Sequence, residues 1–229
     1  MTANARVAQA GETEHREEGG EGSRDYDLRS SDVVPVPAVA TSLVSGLRLL
    51  VRELGLANEV RAAILASDPF AAYWVDQTPE ADFTPVDRYL AMWTALGRLV
   101  SPEKLRELGH ERFRRGMDSG RVAPILRSWA RTCQDDPADL VRVAPHVWRG
   151  ITRGLGELRV LEHDDRSARM LFDTEYPLMA SATAWHRVME GWGDGLVTLA
   201  RGGRALEPGQ GVTVSVDARG RVEALLRWA

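Results

Sequence analysis

The 229-residue chain has one cysteine, Cys133, and one lysine, Lys104, among its 29 basic residues. A single thiol excludes an intrachain disulfide framework and any all-cysteine metal site. A single lysine removes most lysine-based chemistry by absence, and the arginine bias has the character of a GC-rich genome. No apolar run approaches the ~20 residues that cross a bilayer, so no membrane association is expected. The first 30 residues lack an apolar signal core and lack an Arg-rich, acid-poor amphipathic stretch, which makes the cytoplasm the expected compartment.

Acids outnumber bases, 33 to 29, for a formal net charge of −4. Eight acids and only four arginines lie at or before Asp32, which leaves 25 of each sign in the remainder. That remainder is neutral and carries no general attraction for nucleic acid, so no nucleic-acid partner is expected. Residues 1–37 contain Gly11, Gly19, Gly20 and Gly22 and almost no large apolar residue before Val33. Such a segment cannot bury enough surface to offset its ordering entropy, and it is read as a disordered acidic tail that keeps the protein in solution or binds a partner. Residues 38–229 are long enough to bury a substantial core and are read as one domain.

Within that domain the apolar period predicts helices first. Leu43, Leu47, Leu50, Val51 and Leu54 share one face of a helix from Thr41 that Gly55 closes. A second short helix, Ala57 to Ala66, ends before Asp68-Pro69. Thr84-Pro85-Val86-Asp87 has the form of a capping box ahead of a helix through Tyr89, Leu90, Trp93 and Leu96. Ser101-Pro102 starts a helix with Leu105, Leu108 and Phe113, and Asp136-Pro137 starts another with Pro145 inside it. The period then changes to two. Leu158, Val160 and Met170, Phe172 alternate about Asp164-Asp165-Arg166, and Val212, Val214, Val216 and Val222, Ala224, Leu226, Trp228 alternate about Ala218-Arg219-Gly220. A helical stretch, 178–200, separates these hairpins. The expected fold class is α+β: a helical half, then hairpin, helix and hairpin forming an antiparallel sheet packed on helices.

The chemistry-bearing residues form no familiar catalytic or metal pattern. None of His15, His110, His146, His163 and His186 has metal-ligand spacing, and each is read as a surface or capping histidine. Gly202-Gly203 and Gly209-Gly211 follow a helix instead of preceding one, which makes a loop and not a phosphate cradle. No Gly-x-Ser-x-Gly elbow occurs. Cys133 stands beside Asp135 and Asp136, which disfavour its thiolate. Glu17-Glu18 and Asp164-Asp165 read as solvated charges. Arg112, Arg114, Arg115, Arg121, Arg127 and Arg131, interrupted by Glu107, Glu111 and Asp118, read as a solvated helix face or a surface for an acidic protein partner.

Two features in the last long helix ask for a reason. Gly191, Gly193 and Gly195 each cost about 1 kcal/mol relative to alanine in a helix interior. Gly191 and Gly195 are one turn apart and mark a face where another backbone approaches, within the fold or across a dimer, so they are the candidate interface residues. Most of the seven tryptophans have core spacing, but Trp185 and Trp192, seven apart on one face, are placed to line a ligand cavity.

The second half resembles the bacterial four-vinyl-reductase-type sensory domains, relatives of the heme-nitric-oxide-binding and TRAPP-subunit fold, and especially their stand-alone myxobacterial paralogues. The pieces that carry the resemblance are Leu108-Gly109 before a long helix, Val147-Trp148-Arg149 leading through Gly154 into a hairpin, Tyr176-Pro177 before a helix carrying Glu190-Gly191-Trp192, and the closing Leu226-Arg227-Trp228. It implies a non-enzymatic regulatory module that forms a homodimer and either senses a small apolar ligand held between helices and sheet or acts as an adaptor for a protein partner. Where many relatives carry cysteines on the final hairpin this chain has Val214 and Val222, and the signature that grips heme propionates is not found, so no cofactor is expected. The residues expected at a ligand are Trp148, Trp185, Met189 and Trp192. An enzyme acting on a small hydrophobic substrate is the alternative, although no catalytic or metal-ligating residues can be assembled for it.

Overall fold

Leu47, Leu50 and Val51 turn inward from the first long helix, α1 (Thr41–Glu53), which stops where Gly55 takes a φ of +71°. The computed structural model describes residues 36–77, 81–118, 123–132, 138–174 and 176–229. The acidic segment, Arg121, Cys133 and the Asp136-Pro137 start lie outside the described residues, as does the side chain of Trp129. α2 (Ala57–Ser67) ends at Asp68, whose extended backbone precedes Pro69 and whose carboxylate accepts a hydrogen bond from the Phe70 amide at 2.9 Å. α3 (Ala72–Val75), α4 (Val86–Gly97), α5 (Pro102–Asp118), α6 (Ala123–Thr132) and α7 (Ala138–Ile151) complete the helical half. The described chain is α+β, as the change of period predicts.

The two helix starts built on proline differ. At α5 the Ser101 hydroxyl accepts from the Lys104 amide at 3.2 Å, a true cap. At α4 Thr84 caps no amide, because it lies in a strand and its hydroxyl meets that of Thr41 at 2.9 Å; Asp87 instead accepts from the Arg88 amide at 2.7 Å. The expected capping box is not formed. That strand belongs to a small sheet absent from the sequence reading: β1 (Ala38–Ala40) pairs antiparallel with β2 (Phe83–Pro85) and β3 (Thr152–Arg153). Its strands are two or three residues long, too short to show a period.

The main sheet is built from the two expected hairpins. β4 (Glu157–His163) pairs with β5 (Ser167–Asp173), and β6 (Gly211–Val216) with β7 (Val222–Arg227). β5 also pairs with β7, giving the order β4-β5-β7-β6 with all neighbours antiparallel. The helical stretch between the hairpins is interrupted at Ala182 into α8 (Pro177–Ser181) and α9 (Thr183–Ala200).

α9 is buried on both sides, against α5 and against the sheet, and its glycines decide how closely. A Cβ on Gly191 would overlap the Arg106 carbonyl, and one on Gly109 of α5 would overlap the Val188 carbonyl, so the two helix backbones are in direct contact. Gly195 makes room for the Phe113 ring, while Gly193, on the opposite face, admits Val212 of β6. This corrects the expectation that Gly191 and Gly195 form a subunit interface: the α5 backbone meets Gly191 and the Phe113 side chain of α5 meets Gly195, both within the same chain, which leaves no surface there for a second copy.

The same helix supplies the acids that cap the sheet edge. As edge strand, β6 turns alternate amides away from β7. Asp194 accepts from the Val212 amide at 2.8 Å and Glu190 from the Val214 amide at 3.1 Å. Arg106 of α5 binds both Asp194 oxygens, at 2.6 and 3.0 Å, and approaches Glu190 at 3.8 Å; Arg187 holds Glu190 at 2.8 Å. Burial of these carboxylates is therefore compensated by charge and by hydrogen bonds.

Gly191→Ala is expected to lower unfolding stability by about 3 kcal/mol in urea titration, since a rigid backbone carbonyl must move. Gly116→Ala, whose Cβ would stand 3.3 Å from the movable end of Leu126, should change it by less than about 1 kcal/mol.

Candidate functional site: an apolar cavity with an unpaired guanidinium

A cavity of about 400 Å³ lies where α1, α4, α5, α7 and α9 meet. This volume is within the range of small-molecule pockets, roughly 300–1,000 Å³. Trp148, Trp185, Met189 and Trp192 all line it, so the structure brings the four sequence-selected residues together. Trp148 comes from the buried stripe Val141, Ala144, Val147, Trp148 of α7, and the other three from one face of α9.

The aromatic wall is fixed by its neighbours. Trp148 donates its indole N–H to the Gly156 carbonyl at 3.2 Å and stacks edge-on against Phe172 of β5, centroids 5.0 Å apart. Phe172 meets Trp185 at 5.8 Å, and Phe113 meets Trp192 edge-on at 5.1 Å. Each such pair adds about 0.5–1.5 kcal/mol beyond the area it buries. A second, smaller cavity of about 70 Å³ lies between these helices and the sheet, and Trp148, Ile151, Met189 and Trp192 line both. Leu49, 55% exposed, stands in the lining of the larger cavity and puts its mouth at the α1 surface.

The polar part of the lining is small. Ser42 and Ser45 come from α1, Tyr89 from α4, Thr152 from β3, and two arginines from α5. Thr152 is committed to the Trp148 carbonyl at 2.7 Å. Arg115 is committed to Glu53 and, at 2.8 Å, to Glu111. Arg112 is different. It donates through Nη2 to the Leu43 carbonyl at 3.0 Å and lies 5.8 Å from the centre of the Trp93 ring, yet its Nη1 is buried and has no hydrogen-bond partner. The residue as a whole is only partly buried, because the surface it keeps faces the cavity. Burial pushes the guanidinium pKa down, partly offset by Tyr89. Gly46 explains how an arginine fits here: a Cβ at that position would stand 3.0 Å from Nη2.

Sequence reasoning placed Arg112 in a solvated basic face, and the structure divides that face. Arg114 and Arg115 bind Glu111, whose carboxyl they hold down at about 2, and Arg127 donates to the Met117 carbonyl at 3.1 Å. Among the described arginines of that face, Arg112 alone turns inward. The signal was available: Leu105, Leu108, Gly109, Arg112 and Phe113 follow the i, i+3, i+4, i+7, i+8 spacing of a buried helix face.

His186, read as a surface or capping histidine, takes the second of these roles and is only 7% exposed. Its Nε2–H donates to the Met179 carbonyl at 2.7 Å, which caps α8 at the break before α9. Burial lowers its pKa, opposed by the Met179 bond and Glu190 and assisted by Arg187. Among the described residues no three His, Cys, Asp or Glu side chains converge as metal ligands would, and no helix is long and apolar enough to cross a membrane.

The lowered His186 pKa gives a signed expectation. The unfolded chain takes up a proton near pH 6.5 while the native site still resists it, so stability is complete above that value and falls as pH drops below it. The contribution of Glu111 is lost only below its ordinary value of 4.5. Thermal unfolding measured from pH 7.5 to 5 should therefore show falling midpoints, and His186→Gln should flatten that slope.

No protein-family model matches the sequence, and comparison with curated proteins and with solved structures found no significant match.

Proposed function

We propose that this chain is a non-enzymatic regulatory module that binds a small, largely apolar molecule in the cavity bounded by Trp148, Trp185, Met189 and Trp192. The observation that carries the reading is the cavity itself: an ordered aromatic wall around about 400 Å³ of space, in a core where voids larger than a water molecule are otherwise few. Among the described residues the lining contains no carboxylate, histidine or cysteine, hence no acid and base pair to run a reaction, and this favours binding over catalysis. The resemblance of the second half to sensory domains points the same way and extends the proposal to a cytoplasmic homodimer.

A protein-adaptor role is favoured by a separate surface. Phe70 and Tyr73, at the corner between α2 and α3, are 76% and 73% exposed. Adjacent exposed aromatics of this kind are a feature of interaction sites. The two readings join if occupancy of the cavity governs what the surface contacts.

The cavity reading is tested by titrating the protein with the neutral fluorophore phenylnaphthylamine while exciting tryptophan. Saturable binding at one site per chain, with energy transfer from Trp148, Trp185 and Trp192, is expected. Ser45→Phe, which fills the cavity from α1, should weaken it by about tenfold or more with stability unchanged. An absence of saturable binding to the native protein overturns the reading.

A further inference from the structure

α5 carries two inward arginines in contrasting surroundings. Arg106 meets Asp194 at 2.6 Å and Glu190 at 3.8 Å, so its charge is answered within the fold. Arg112, not quite two turns later, faces the cavity with no carboxylate near it among the described residues. Its neighbours are the Leu43 carbonyl, the Trp93 ring, Tyr89 and the bare backbone of Gly46. A guanidinium is a permanent cation with five donors, and a buried donor left without an acceptor is costly. Nη1 is such a donor.

We infer that the cavity takes an amphipathic monoanion, a carboxylic acid with an apolar body, whose head group completes Arg112 and whose body lies against Trp148, Met189 and Trp192. This rests on the ligand-binding reading above and adds the chemical class. The charge count fixes one negative charge. The only other cation in the lining among the described residues, Arg115, is neutralised by Glu53 and Glu111, so a dianion would leave a charge unanswered. The apolar lining fixes the remainder of the ligand, and the smaller cavity, reached past Trp148 and Met189, lets a chain extend toward the sheet. Ser42 and Ser45 add hydroxyls on the α1 wall beside Gly46. Binding of the acid is noncovalent, because among the described residues no histidine, carboxylate or cysteine lines the cavity to activate the Ser42 or Ser45 hydroxyl.

Dodecanoic acid and dodecanol differ chiefly in the head group, which makes them the natural pair for competition against phenylnaphthylamine at neutral pH. The acid should displace the fluorophore at a concentration lower by about tenfold or more, the ratio a charge-assisted hydrogen bond supplies. In Arg112→Met the ratio of the two displacement concentrations should fall to about one, whatever the variant's own affinity for the fluorophore. Arg112→Lys should keep part of the preference. If the native protein binds the fluorophore but acid and alcohol compete equally, the charge assignment is wrong while the cavity reading stands. If the fluorophore itself fails to bind, the cavity reading falls first. Should Arg112→Met not fold, the native ratio together with Arg112→Lys still decides: no preference in the native protein, or full preference retained with the shorter-reaching lysine, overturns the role given to the guanidinium.

Discussion

Contact between the backbones of α5 and α9 is the constraint on which the rest of the structure depends. It requires glycine on both helices, Gly109 on one and Gly191 on the other, because a methyl group at either would occupy the space of a carbonyl. A glycine in a helix interior costs about 1 kcal/mol, and here that cost is offset by packing that no larger residue permits. With the two helices in contact, the remaining positions fall into register. Phe113 lies over Gly195 and against Trp192, and Arg106 reaches Asp194 and Glu190. On the far face Gly193 brings β6 close enough for those same acids to cap its outward amides. One helix thus closes a sheet edge and anchors the helical half at once.

The cavity follows from this arrangement. Trp185, Val188, Met189 and Trp192 of α9 form one wall, α1 forms the opposite one, and the side chains between them do not fill the gap. The aromatic contacts from Trp148 through Phe172 to Trp185 tie the wall to the sheet, so it does not simply collapse. Apolar lining that no side chain covers costs free energy, and so does a buried donor without an acceptor. Both costs fall at the same place.

How far the sequence revealed this depended on the length of each pattern. Hairpins whose alternation runs over several residues, such as Met170 with Phe172 and Val222 to Trp228, appear in the structure with the expected pairing. Strands of two or three residues, such as Ala38–Ala40, have no period to read, and the capping-box spacing at Thr84 misled because that threonine pairs with Val39 in the small sheet and turns its hydroxyl to that of Thr41. The four aromatic and methionine positions chosen for a ligand share the cavity because helical periodicity determines which residues share a face. The glycines of α9 were visibly costly, yet a sequence does not say which backbone approaches them. Arg112 was legible by spacing and obscured by company: five neighbouring arginines suggested a solvated stripe, whereas its position seven residues after Leu105 placed it on the buried face.

Arg112 also links the site to the rest of the fold. Its Nη2 bond to the Leu43 carbonyl and its seat over Gly46 are side-chain ties between α5 and α1, and α1 carries the mouth of the cavity. A ligand anion at Nη1 would alter the same guanidinium that holds α1. Any differential affinity for the docked and undocked positions of that helix would then shift their populations, which is the physical requirement for a binding event to be reported at a distance. Arg106 could not serve in this way, since its partners are internal and present whether or not the cavity is filled. Two arginines on one helix thus differ in kind: Arg106 is answered within the fold, while Arg112 keeps one donor that no described residue meets.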